Sequence, residues 1–353
     1  MAEHRNSSEQ STGSRRRVTI RNVAEDAGVS VSAVSKVLRD AYGVSDSLRK
    51  QVQASITKLG YRPNASARGM RGQSYTLGVL LPDIRNPFFA DIMAGVNSAL
   101  ERTQYQPLLG VSHLAVATEF ALIESMIDRQ MDAIIMIGPH LTVEEINDVA
   151  RRIPTVVIGQ KTPEDTQYDT VNNDDELGGR LVVNHLADQG YKDIAFLSLS
   201  LRRRDDSPVT IQREVGYAEA MHERGLDKYA RIVRKEESPR EVQTAARHLL
   251  ESRDRPEALF CWTDFVAFEV LGVAKEMGLT VPGDLAVVGY DNTYFCDLAQ
   301  NALTSIDQSG EMLGIQAARL ALERVKGRTE PEHFFVKPRI VIRQSSLRQG
   351  SPG

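Results

Sequence analysis

The sequence predicts an α/β protein in two parts: a small helical head, then a larger body built on parallel sheets. Three observations point there. Between Thr19 and Gly60, apolar residues recur at helical spacing in three short runs, each preceded by a capping residue. From Thr76 to about Gly350, short apolar runs alternate with amphipathic helices, the pattern of parallel strands covered on both faces. Charge is also divided. Residues 1–72 hold 13 Lys/Arg and 6 Asp/Glu, net +7, while the remainder holds 30 and 41, net −11. A basic head on an acidic body suits a head that meets a polyanion.

The 353 residues leave room for two or three domains. No apolar stretch approaches the about 18 residues needed to span a bilayer, and Met1-Ala2-Glu3-His4-Arg5 opens no apolar signal core. A membrane protein is excluded, and a cytoplasmic protein is expected. The two cysteines, Cys261 and Cys296, suit a reducing compartment and not a disulfide scaffold.

Residues 1–17 are polar and end in Arg15-Arg16-Arg17; they read as a disordered tail that adds salt-sensitive phosphate attraction. Thr19 caps a first helix carrying Ile20, Val23, Ala24 and Ala27, and Gly28 breaks it. Ser30 caps a second, on which Val31, Val34, Val37 and Leu38 form a short apolar stripe. Two helices of about eight residues around a glycine turn make a helix-turn-helix. Ser45 caps a third, carrying Leu48, Val52, Ile56 and Leu59 and ending at Gly60. On the remaining positions of the second helix stand Val31, Ser32, Ser35, Lys36 and Arg39, small and cationic groups suited to base edges and phosphates. A generic three-helix bundle with a polar outer face would read the same way.

The body carries strand candidates at 77–81, 106–110, 133–137, 155–158, 194–197, 258–261 and 285–289. Helices lie between, among them 88–102, 119–129, 178–189, 213–224, 239–251 and 265–277. Parallel sheets bind ligands at the C-terminal ends of their strands. The chain has no Walker loop, His-Glu-x-x-His or Gly-x-Ser-x-Gly motif, and its seven histidines lack metal-ligand spacing. No enzyme activity, cofactor or metal is therefore expected. His185, beside Leu181, Val182 and Leu186 on one helix face, reads as a core residue, and Cys261 as an inert buried thiol.

The string from Val18 to Leu38, then Gly60-Tyr61-Arg62-Pro63-Asn64, resembles the lactose-repressor (LacI/GalR-type) family of bacterial transcriptional regulators. Pro82 to Phe89, Asp174 to Arg180 and Val281 to Asn292 extend the resemblance over nearly the whole chain beyond residue 17. It implies a helix-turn-helix at 18–62, a hinge helix or linker at 63–75, and an effector-binding and dimerisation domain at 76–345, followed by a tail at 346–353. It implies that this body is two-lobed, like a type I periplasmic binding protein, with chain crossings near Asn173, Ser305 and Pro331. The helix from Ser30 would enter the major groove of a near-palindromic operator, with Val31, Ser32 and Lys36 at base-reading positions. Thr19, Arg21, Ser30, Ser35, Arg49 and Asn64 would match phosphate or backbone contacts. Met70 would be the minor-groove wedge, where the family more usually has leucine.

In the body the resemblance implies an effector pocket of Asp83, Phe88, Phe89, Arg213, Thr263, Asp291 and Gln308, taking a sugar or related metabolite. Phe88 and Phe89 could stack on a ligand or simply fill core, and Asp291 could instead form a turn with Asn292. Asp264 reads as a helix cap before Phe265. Gly159 stands where several members have an aspartate, the charged run 234–237 replaces a frequent aromatic, and the loop 201–206 is longer than usual. A homodimer is expected, since no heptad tail follows residue 343. The rival reading is a solute-binding protein with the same body fold, which would need a signal sequence and no basic head.

Overall fold

The computed structural model describes residues 18–38, 41–61, 73–160, 166–200, 208–236 and 238–348. The chain divides between Ser74 and Tyr75 into two compact units.

The first unit is three helices, α1 (Ile20–Asp26), α2 (Val31–Leu38) and α3 (Asp46–Leu59). A polar side chain satisfies a backbone N–H at each helix start, Asn22 at α1 and the serines before α2 and α3. Thr19 donates from both its backbone N (3.0 Å) and its Oγ1 (2.8 Å) to Asn22 Oδ1. Ser30 Oγ accepts from Ala33 N (3.1 Å), and Ser45 Oγ accepts from Leu48 N (3.3 Å). Gly28, at φ +63°, makes the left-handed turn between α1 and α2 that a β-carbon would strain. Val23, Val34 and Val52, one from each helix, are fully buried against one another's helices. Gln51 Nε2 donates to Ala27 O (2.8 Å), and Lys58 pairs with Asp26 (2.6 Å), so α3 is tied to the turn as well as to the core.

The second unit contains two six-stranded sheets. The first runs through β1 (Thr76–Leu81), α4 (Pro87–Leu100), β2 (Gln106–Val111), α5 (Val116–Asp128), β3 (Ala133–Ile137), α6 (Val143–Ala150), β4 (Thr155–Ile158) and β5 (Asp169–Asn173). The second runs through α7 (Asp175–Asp188), β6 (Ile194–Leu199), α8 (Pro208–Glu223), β7 (Arg231–Lys235), α9 (Pro239–Glu251), β8 (Ala258–Cys261), α10 (Asp264–Glu276), β9 (Ala286–Tyr290) and β10 (Thr304–Asp307). The chain then returns through α11 (Gly310–Val325) and β11 (His333–Val336) to the first sheet and ends with β12 (Arg339–Val341) in the second.

Strand order is β11-β5-β4-β3-β1-β2 in one sheet and β12-β10-β9-β8-β6-β7 in the other. Every pairing is parallel except β10 with β12. The two lobes therefore repeat one topology, with the order reversing between β1 and β3 and between β6 and β8. Such switch points open a crevice at the strand C-termini. The buried runs of β1, β3, β4, β8 and β9 match strands covered on both faces.

Five strands, β5, β7, β10, β11 and β12, escaped the sequence reading, and the polar composition of β5 and β7 explains why those two did. β5 is Asp-Thr-Val-Asn-Asn, yet it is buried throughout. Its polar side chains are tolerated because they are bonded: Asp169 accepts from Arg324 (3.0 Å) and Arg328 (2.6 Å), and Asn172 Oδ1 accepts from Gly159 N (3.0 Å). β7 takes in Arg234 and Lys235, as an edge strand can, since its outer face meets solvent.

The lobes are joined by three crossings that touch. Asn173 Nδ2 donates to Gln308 O (3.1 Å), and Asp174 N donates to Val336 O (3.3 Å). The third crossing falls at Lys337-Pro338, not near Pro331, because His333–Val336 still pairs with β5. Residues 346–348 are not tail either: Ser346 is fully buried, 2.7 Å from His185 Nε2, and Arg348 donates to Gly190 O (2.6 Å). His185 is thus a partnered core residue, and burial lowers its pKa. In the first lobe α4 and α11 approach so closely that a β-carbon on Gly314 would collide with the Ile92 carbonyl oxygen.

Candidate DNA-reading face and effector cleft

On the head, Val31, Ser32 and Lys36 lie exposed on α2, with Val31 39% exposed despite being apolar. Thr19, Arg21 and Ser30 are exposed beside the helix starts, and Arg49 is half-buried on α3. Ser35 differs from the expectation of an outward contact residue: it is 8% exposed, on the side of α2 that carries Val34 and packs inward. Asn64 and Met70 lie outside the described residues, as does the loop 201–206.

In the body, one cavity of about 590 Å³ opens between the strand C-termini of the two sheets. All seven residues anticipated for an effector pocket line it. Their roles are more specific than the sequence indicated.

Arg213, on α8, is buried at 4% exposure. Its guanidinium lies between two rings, 4.2 Å from the Trp262 centroid and 3.6 Å from that of Tyr290. Nε donates to Asp175 Oδ1 (2.8 Å) and Nη1 to Trp262 O (2.9 Å), while Nη2 stands 3.5 Å from Gln308 Oε1. Tyr290 OH donates to the same Asp175 oxygen (3.1 Å). Burial pushes the Asp175 carboxyl up, with Arg213 pulling against it. Burial likewise opposes the Arg213 charge, and the nearby Asp175 more than restores it. The Arg213 fork of donors is thus neutralised and rigidly oriented by Asp175, Trp262 and Tyr290.

Asp291 follows β9 at φ +110°, with Asn292 at φ +50°. The turn reading and the cavity reading are therefore both satisfied: the left-handed turn is what aims the carboxylate inward. Its Oδ1 accepts from Gln308 Nε2 (2.6 Å), and its Oδ2 accepts from Asn86 Nδ2 (3.1 Å). Asn86 belongs to the other lobe, where its Oδ1 also caps α4 by accepting from Phe88 N (3.0 Å). The Asn86–Asp291 bond spans the cleft directly.

Asp83 is held by Arg85, whose Nη2 donates at 2.6 Å. Phe88 and Phe89 sit with ring centroids 6.0 Å apart; Phe88 fills core and edges the cavity, and Phe89 is only half-buried.

Thr263, not Asp264, caps α10, accepting from Val266 N (3.3 Å). Asp264 is fully buried and accepts from four groups: Ser305 Oγ (2.5 Å), Thr293 N (2.7 Å), Thr293 Oγ1 (2.9 Å) and Cys296 Sγ (3.1 Å). Ser305 Oγ in turn accepts from Asn292 N (3.0 Å). Asp264 thus anchors the loop that presents Asp291, a role that a helix-cap position hides. Sequence reasoning also passed over Asn86, Asn173, Asp175 and Trp262. Trp262, the only tryptophan, was the available signal, standing directly after a strand. Among the described residues no cluster of three or more His, Cys, Asp or Glu is arranged to hold a metal ion.

Comparison with known proteins agrees with this architecture. Residues 19–64 match the family model for bacterial regulatory proteins of the lacI family, and residues 183–346 match a periplasmic binding protein-like domain. Catabolite control protein A of Priestia megaterium is 34% identical over 335 residues, covering 93% of this chain and 99% of that protein. The HTH-type transcriptional repressor PurR of Erwinia tasmaniensis is 31% identical, covering 93% and 96%. Among solved structures, a transcriptional regulator CelR–cellobiose complex is 27% identical with a TM-score of 0.68, covering 93% of this chain and all of the other. These relatives are gene regulators and not enzymes. A helix-turn-helix head, a cleft between two parallel sheets and full-length similarity to repressors together make this chain a member of the lacI family of bacterial regulatory proteins.

Proposed function

We propose that the protein is a sequence-specific repressor that binds near-palindromic operator DNA as a homodimer and releases or tightens its grip when a small molecule occupies the body cleft. The observation that carries this reading is the presence, in one chain, of a helix-turn-helix whose second helix exposes Val31, Ser32 and Lys36 and of a built cavity lined by bonded polar groups. Phosphate contacts supply most of the affinity, and Lys36, Ser32 and Val31 supply base readout, with Met70 as the proposed wedge.

The cleft supplies a way to couple. Asn86 and Asp291 bridge the lobes, so a ligand hydroxyl that takes over Asp291 changes what holds the lobes together. The ligand then shifts operator affinity by about 1–3 kcal/mol, a factor of roughly 5–150. The CelR complex binds cellobiose, which supports a hydroxylated effector. A solute-binding role is disfavoured by the head.

The test is DNA retention at rising salt. The intact chain is expected to hold duplex DNA with affinity falling steeply as salt rises, and a fragment starting at Gln73 to hold none. Equal retention by the fragment would refute the assignment of DNA binding to the head. Lys36→Ala is expected to cost about 1–3 kcal/mol on the operator and to relax base preference at one position, read by competition with single-base operator variants. A uniform loss on every duplex would make Lys36 a phosphate contact instead.

A further inference from the structure

We infer that Tyr75 and Asp132 form an anchor that fixes where and in what direction the chain enters the body, and that operator affinity depends on it. Tyr75 is a positioning residue in this account and touches no DNA. The inference rests on the reading of the protein as an operator-binding regulator, and holds whichever ligand fills the cleft.

Tyr75 is the first residue of the body, directly after the division at Ser74. Its backbone stands at φ +54°, in the left-handed region that bulky side chains avoid. The next residue, Thr76, already belongs to β1 and is paired with Gln106 of β2. The chain therefore leaves the extended path at a single residue, directly before the sheet begins. Glycine would adopt that conformation without strain, yet the sequence places a tyrosine there. Such a conformation persists only where the surroundings over-determine it, and strain of this kind gathers at clamps and switches.

Contacts from both neighbouring strands supply that constraint. Tyr75 N donates to Asp132 Oδ2 (2.8 Å), and Tyr75 O accepts from Gln106 N (3.0 Å). The Tyr75 ring stands edge-on to the buried Tyr105, with centroids 5.4 Å apart and planes at 63°. Asp132 is held in turn, its own N donating to Thr76 O (2.9 Å). Gln106 opens β2 and Asp132 immediately precedes β3, the two strands that flank β1.

The same strands end at the cleft. β1 runs into Pro82, Asp83 and Arg85, and β3 into Gly138, Pro139 and His140, all of which line the cavity. Paired β1 and β3 thus form a stiff plank about 20 Å long, with cavity-lining loops at one end and the anchor at the other. A change of lobe angle moves the attachment point with the plank instead of being absorbed in a slack joint. A slack joint would also spread the positions open to each head and lower its effective concentration at the second half-site. Attraction of one head to phosphates alone makes no such demand.

The test uses the full chain and two duplexes, a near-palindromic operator selected from a random pool and a scrambled duplex of the same length and composition. Tyr75→Gly keeps the amide, accepts φ +54°, and removes ring and strain together, so its urea midpoint is expected to stay near that of the parent. Its operator affinity is expected to fall tenfold or more, while its affinity for the scrambled duplex at low salt stays within twofold. Asp132→Ala removes the acceptor, leaves the ring, and is expected to behave likewise. Tyr75→Phe keeps ring and amide and is expected to bind the operator within twofold of the parent. Parent-like operator affinity in a folded Tyr75→Gly or Asp132→Ala protein would overturn the inference. An equal loss on both duplexes would overturn it too, since a defect of folding or of phosphate contact does not discriminate between them. If the glycine variant unfolds, its urea curve shows it and Asp132→Ala decides. A parent chain that enriches no duplex from the pool would overturn the operator reading itself, and the anchor's role with it.

Discussion

Arg213→Ala is expected to abolish the effector response and to lower stability by about 3–5 kcal/mol while leaving operator affinity without effector close to that of the parent. The stability loss follows from what remains. Asp175, 4% exposed and donated to by Arg213 at 2.8 Å, would be left as a buried charge with only the Tyr290 hydroxyl beside it. Breaking a buried pair by removing one partner costs about that much, whereas replacing both partners by apolar groups often costs little. The double variant R213M/D175L is accordingly expected to recover a large part of the stability but none of the response. Urea unfolding gives the first readout, and operator titration with and without ligand gives the second. A destabilised single variant that still responded to ligand would show that Arg213 is a structural cation only.

The second large effect is expected from Asp264→Ala, at about 3–5 kcal/mol. Four donors converge on this fully buried carboxylate, and each buried donor left without an acceptor costs about 1–3 kcal/mol, less than additively. Burial pushes the Asp264 carboxyl up, and the converging donors hold it down. Asp264→Asn keeps one acceptor oxygen and is expected to lose less. Because Asp264 reaches Asn292 through Ser305, both variants are also expected to weaken ligand binding at Asp291, by tenfold or more for alanine. Urea midpoints and Trp262 emission titrations separate the two effects. Full ligand affinity in a destabilised Asp264→Ala protein would show that the loop holds Asp291 without this anchor.

The parts of the molecule that could be read in advance are those where local pattern and tertiary role agree. The caps Ser30 and Ser45, the break at Gly28 and the apolar runs at 133–137 and 155–158 are local signals, and the structure uses them locally. β5 could not be found this way. Its Asp169, Asn172 and Asn173 look like loop chemistry, and only partners elsewhere in the chain make their burial tolerable: Arg324 and Arg328 for Asp169, Gly159 and Gln160 for Asn172, and Gln308 for Asn173. The cleft shows the same division. Arg213 and Asp291 were legible as residues, but their state was not. Asp175 neutralises the arginine from 38 positions away, and Asn86 meets Asp291 from 205 positions away. Asp264 was misplaced because a carboxylate at a helix start has a ready local explanation, and the donors that recruit it come from Thr293, Cys296 and Ser305.

The central claim is that occupancy of the body cleft is felt by the head on DNA. It is tested most directly by operator-binding isotherms of the intact chain, using a near-palindromic duplex selected from a random pool. Each is recorded with and without a ligand that saturates the Trp262 emission change. The account predicts a shift in operator affinity of roughly 5–150-fold, in either direction, that disappears in Arg213→Ala. Superimposable isotherms, with the cleft demonstrably filled, would contradict it.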